Sequence, residues 1–250
     1  CQNYLEFQMH NSYNEKSNKS PKKESSMMDK YFGFRTASDE DVIIDSLIDH
    51  GRIDEEELYL LKQMVQNLCT NNLDDIESCH AKISKIRHDS GQGFEATESQ
   101  IIQSHFDFQK QYDFLRIYHR IERISEAIID CSERVVLSTR INSAVPDRCK
   151  DALQILMTHI LEQHSTFQEA LKAYKSNKSE LISIIHTVFE QEKRIKKQYF
   201  ICLESLYSAG NSGPIAIGNF RAIEQLIEHI ESIGSTTESA ATGLEWLLIN

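Results

Sequence analysis

Three prolines in 250 residues leave little to interrupt a helix, since a proline inside one costs about 3 kcal/mol. The nine glycines exclude collagen-like and Pro/Gly-rich low-complexity architectures. No run of about 18 apolar residues occurs, so no membrane-spanning helix is predicted. Lys and Arg number 27 against 38 Asp and Glu, a formal charge of −11. That balance argues against a nucleic-acid binder, which needs a basic face. The six cysteines, Cys1, Cys69, Cys79, Cys131, Cys149 and Cys202, form no C-x-x-C pair. Their wide spacing and helical surroundings favour buried free thiols in a reducing compartment over disulfides. Zinc lacks the close ligand pairs it needs. No G-x-S-x-G and no G-x-x-x-x-G-K-[ST] occurs, which removes a nucleophile elbow and a P-loop.

What is present begins with a polar lead. Residues 1–37 are read as a disordered or extension segment, rich in Asn, Ser and Lys around Asn14–Lys23 and too polar to bury a core. Cys1 as the first residue of a processed lipoprotein is weighed against an upstream extension with Met27 or Met28 as the natural start, and the extension is favoured. From Ser38 onward the periodicity is helical. Ile44, Leu47, Gly51, Asp54, Leu58, Leu61, Val65 and Leu68 hold a 3-4 spacing, with Gly51 and Asp54 as breaks in the apolar stripe. The helix over about 39–70 is either continuous or restarts near Gly51, with Asp54 and Glu57 as a cap. Asn71-Asn72 interrupts it, and a second helix runs towards Gln103. His105-Phe106-Asp107 marks a turn, and the stripe from Phe114 to Val135 gives a third helix. Pro146 ends this half.

The second half repeats the first. Setting Asn72 on Asn177 places Ile76 on Leu181 and Ile83 on Val188, which favours the continuous first helix. Ile121-Glu122-Arg123-Ile124 then matches Ile230-Glu231-Ser232-Ile233, with four extra residues in the Gly210–Gly218 loop. Asn177 with Glu180 resembles a capping box. Short connections imply antiparallel neighbours. The predicted fold is all-α: two tandem antiparallel three-helix bundles over 38–145 and 146–250, related by an internal repeat.

A duplicated, acidic three-helix chain of this length resembles the PhoU-like family, in particular its phosphate-transport regulator branch associated with Pit-type phosphate permeases. The resemblance covers roughly residues 40–250. It implies a second-helix Glu-x-x-x-Asp motif in each half and acidic groups on the third helix, which together hold metal ions. In the first half that motif falls on Arg87 and Gly91. In the second it falls on Glu192 and Lys196. Glu126 occupies the acidic position of the third helix, while Ser235 replaces it in the last helix, flanked by Glu231 and Glu238. The metal candidates are therefore Glu126, Glu192, Glu231 and Glu238, in a motif degraded at Arg87, Gly91, Lys196 and Ser235. A hard cation needs several converging oxygens, and Lys or Arg supplies none. No cofactor is expected beyond a weakly held divalent or iron ion.

Three further features have bland defaults. Gly91 and Gly93 each cost about 1 kcal/mol in a helix and point to a local break, a close helix approach, or plain tolerance. Glu77-x-x-His80 has di-iron ligand spacing but no second copy. Lys193, Arg194, Lys196 and Lys197 form a small basic patch, read as a solvated face balanced by nearby acids. The expected function, resting on the resemblance, is a non-enzymatic regulator or accessory of inorganic phosphate transport. It would be cytoplasmic, peripheral at most to the inner membrane face, docking a phosphate permease or its partner, with no nucleic acid and with homo-oligomerisation open. The alternatives are a scaffold bundle unrelated to phosphate and, more remotely, a di-metal carboxylate oxidase.

Overall fold

The computed structural model describes residues 38–213 and 215–249. The expectations for residues 1–37, Cys1 and the two early methionines lie outside them. Among the described residues the chain forms six long helices, α1 Asp39–Thr70, α2 Ile76–Gln103, α3 Phe108–Arg140, α4 Asp147–Ser176, α5 Lys178–Ser212 and α6 Ile217–Ile249, and no strand.

Local chemistry sets the boundaries. Ser38 and Asp41 close a capping box at the start of α1, satisfying amides that have no intrahelical acceptor. Asn71 ends the helix in the left-handed region at φ 56°, and the Asn72 amide returns to the Asn67 carbonyl at 2.9 Å. Asp107 caps α3 by accepting from the Lys110 amide at 2.9 Å. Pro146 stands at the N-cap of α4.

Two expectations need correction. Asn177 does not cap the backbone of α5 with its side chain. Its amide instead donates to the Glu180 carboxylate at 3.0 Å. The presumed long loop is short because α5 runs through Gly210 and Asn211 to Ser212; a glycine and an asparagine near a helix end are tolerated when the preceding stripe packs.

Helices α1, α2 and α3 pack on one another, as do α4, α5 and α6. The two bundles join where α1 lies on α4 and α3 on α6. The Asp39 carboxylate accepts from the His105 amide at 3.0 Å, so the start of α1 meets the end of α2 in an antiparallel pair. One apolar core draws on all six helices, and the described residues form a single compact unit. Cys69, Cys79, Cys131, Cys149 and Cys202 are buried free thiols within it.

α1 is continuous through Gly51. Gly51 and Asp54 do not interrupt its buried face; they belong to it. A Cβ on Gly51 would lie 1.5 Å from the Gln168 amide nitrogen of α4. The glycine therefore makes room for a side chain across the bundle junction. Gly91 and Gly93 are different. α2 is unbroken there, and a Cβ on either would meet nothing within 4 Å. Neither a break nor a close approach accounts for them.

Candidate functional site

The degraded motif positions are built from the second and third helices of each half. In the second half Glu192 of α5 is only 1% exposed. The Gln163 amide of α4 donates to its Oε2 at 3.1 Å. Lys196, one turn further along α5, places Nζ 3.3 Å from Glu192 Oε1 and 3.9 Å from Glu238 Oε2 of α6. Burial pushes the Glu192 carboxyl up to about 6, against the pull of Gln163 and Lys196. Burial also raises Glu231, which feels Lys196 and Glu238. Burial opposes the charge on Lys196, but Glu192, Glu238 and Glu231 outweigh it and hold its pKa above the usual lysine value. Gly234 permits this packing: a Cβ there would lie 2.9 Å from Glu192 Oε2 and 3.0 Å from Ile160.

The first half mirrors this with a different donor set. Arg87 of α2 lies 3.7 Å from Glu122 of α3, and its guanidinium sits 4.6 Å over the Phe94 ring. Glu57 of α1 is fully buried, and neither of its carboxylate oxygens has a hydrogen-bond partner. Burial and the neighbouring Asp54 push it up to about 8, while Arg87 pulls the other way. Gly91, one turn beyond Arg87, contributes no side chain.

Among the sequence candidates, Glu192, Glu231 and Glu238 are gathered around Lys196. Glu126 is elsewhere, in a groove between α3 and α6 with Arg123, Asp130, Glu228 and His229. The Ser235 hydroxyl returns to the Ser232 carbonyl at 3.1 Å. Glu122 was missed, although its repeat mate Glu231 was a candidate; the repeat register held the signal. A metal ion would need converging oxygens. Here a lysine ammonium and an arginine guanidinium occupy the corresponding places, so the donor set does not fit an ion. Among the described residues no group of three or more His, Cys, Asp or Glu is arranged to hold one.

A buried polar seam joins the two sites along α1 and α4, and sequence periodicity passed over it. Asp54 accepts from the Ser125 hydroxyl, and its other oxygen lies 3.9 Å from His164 Nε2. His50 Nε2 bonds Thr97 at 3.2 Å. His164 is only 1% exposed. The di-iron spacing is consumed by other contacts: Glu77 pairs with Arg140 at 3.7 Å, and His80 bonds the Ser132 hydroxyl at 3.0 Å. In the basic patch, Lys193 pairs with Glu190 at 2.6 Å.

Six antiparallel helices in two repeated bundles, with charged positions facing inward from the second helices, define an all-α double three-helix bundle of the PhoU-like fold. A PhoU-like protein of Shewanella oneidensis superposes with a TM-score of 0.73 at 14% identity, over 83% of this chain and 99% of its own. A second Shewanella oneidensis protein, described as a PhoU-like phosphate regulatory protein, gives 0.70 at 16% identity over 83% and 99%. PhoU of Pseudomonas aeruginosa gives 0.68 at 14% over 84% and 97%. No protein-family model matches the sequence, and no curated protein does.

Proposed function

We propose that this protein is a non-enzymatic regulator or accessory of inorganic phosphate transport, acting by docking a membrane phosphate permease or that permease's partner. The observation that carries the reading is the fold: it is shared over more than four-fifths of the chain with PhoU-like proteins, one of them described as phosphate regulatory. The chemistry of the interior is consistent with a binding role. The buried Glu192 is engaged by Gln163 and Lys196, the buried Asp54 by Ser125, and the half-buried Glu122 by Arg87, which suits a rigid scaffold whose outer faces do the work. Among the described residues no helix is long and apolar enough to cross a membrane, so contact with a permease would be peripheral, in line with the expected site at the inner face. Rigid helix faces present arrays of side chains at i, i+3 and i+4 to such a partner.

The test is genetic. A deletion strain is expected to show altered phosphate uptake or altered phosphate-responsive expression. Unchanged values for both would overturn the reading and leave the scaffold unrelated to phosphate.

A further inference from the structure

On a chain of net charge −11, α3 carries a cationic and aromatic stripe. Phe108, Tyr112, Arg116 and Arg120 follow at i, i+4, i+8 and i+12, a spacing that keeps neighbours on one side of a helix. Phe108 is 82% exposed, Tyr112 is 48% and Trp246 of α6 is 36%. The Arg116 guanidinium lies 4.0 Å over the Trp246 ring and 5.5 Å over Tyr112. That of Arg120 lies 5.0 Å from the Trp246 ring. Gly243 makes the place for Arg120: a Cβ there would come within 3.1 Å of its Nη1. Arg120 Nη1 also donates to the Ser239 carbonyl at 2.6 Å.

The electrostatics are unfavourable in isolation. Burial and the like charges of Arg116 and Arg123 hold the Arg120 pKa down. Arg116 has Asp113 as a distant partner at 3.9 Å. Two guanidiniums are thus gathered beside exposed aromatic rings on one face of an acidic protein and ordered by stacking on Trp246. A guanidinium pairs well with a carboxylate; Arg120, whose Nη1 is held by the Ser239 carbonyl, adds positive charge beside Arg116.

We propose that Phe108, Tyr112, Arg116, Arg120 and Trp246 form a docking surface for an acidic segment of a protein partner. Charge complementarity selects the sign of the partner. Tryptophan, tyrosine and arginine are the residue types that dominate protein interfaces. Anionic lipid headgroups and inorganic phosphate share the carboxylate's negative charge but do not use the exposed aromatic side chains in the same way, and they are the rival outcomes of the test below. The proposal deepens the docking reading above by naming the face that docks.

Trp246 is the only tryptophan, so its fluorescence reports on this surface alone. Titration of the full chain with a short glutamate- and leucine-containing peptide is expected to shift the Trp246 emission saturably, with affinity falling as salt is added. The double variant Arg116→Gln/Arg120→Gln is expected to bind roughly tenfold more weakly while keeping the helical circular dichroism of the parent. Lys193→Gln, which removes charge elsewhere, is expected to bind as the parent does. The proposal is overturned if the peptide leaves the emission unchanged. It is equally overturned if phosphatidylglycerol vesicles or inorganic phosphate shift the emission where the peptide does not, or if the double variant binds as tightly as the parent. Peptide binding by a protein whose deletion leaves phosphate handling unchanged would refute the phosphate reading and keep the surface.

Discussion

At the residue scale, Glu192 and Glu57 are two buried carboxyls that differ in whether their own helix sets a cation beside them. Each half has an inward-facing charged position on its second helix, the buried Glu192 or the half-buried Arg87, and each has a countercharge nearby, Lys196 or Glu122. Lys196 supplies one to Glu192 from the same helix, and Lys196→Ala is expected to lower stability by about 1–3 kcal/mol, because Glu192 would be left buried without its cation. Urea denaturation checks this. Lys196→Asp, which restores the residue implied by the family resemblance, is expected to be less stable still in chelator and to recover on adding manganese; melting temperatures with and without the metal decide. Glu57 has no such neighbour on its own helix, and Asp54, Glu56 and Arg87 are the charges that act on it. Its folded pKa of about 8 lies above the ordinary glutamate value of 4.5, so the folded state binds the proton more tightly. Its contribution to stability is complete below about 4.5 and is lost as pH rises through about 8. His50 is shifted down from 6.5 by burial, so its contribution grows with pH up to that value and opposes Glu57 there. Between pH 6.5 and about 8 only the Glu57 trend remains of the two. The melting temperature is expected to fall across that window, and Glu57→Gln is expected to flatten the fall.

At the element scale the glycines divide by what surrounds them. Gly91→Ala and Gly93→Ala place a methyl group in open space on a continuous helix. Each is expected to stabilise by about 1 kcal/mol, read from chemical denaturation. Gly51→Ala and Gly234→Ala are expected to destabilise by about 1–3 kcal/mol, since Gln168 in one case and Glu192 with Ile160 in the other already fill the space. The sequence distinguishes these cases only in part. Gly51 breaks an apolar stripe and so announces itself, but nothing in the spacing reveals that a glutamine from the other half fills the gap. Caps were more legible because they are local: Asn71-Asn72 and Asp107 act within a few residues. The end of α5 misled because Gly210 and Asn211 carry a strong local turn signal that packing overrode.

At the scale of the whole molecule, the repeat was legible through the register of Asn72 on Asn177, and with it the count and order of helices. How the bundles meet was not, because α1 with α4 and α3 with α6 are long-range pairings. The contact of Asp54 with His164 lies in that junction, which is why periodicity showed Asp54 only as a break in an apolar stripe. Because one core spans both bundles, they are expected to unfold together. Urea curves from Trp246 fluorescence, which reports on α6 and α3, and from far-ultraviolet circular dichroism, which reports on all helices, should coincide. Separate midpoints would mean independent halves.

The ammonium of Lys196 and the guanidinium of Arg87 have a consequence for how the protein meets its surroundings. A dissociable ion stabilises a fold by mass action, in proportion to the logarithm of its free concentration over its dissociation constant. A cation carried on the chain is present at a fixed local concentration whatever the medium supplies. The integrity of this bundle is thereby expected not to depend on the availability of iron, manganese or zinc, and a melting temperature unchanged by a chelator would check it.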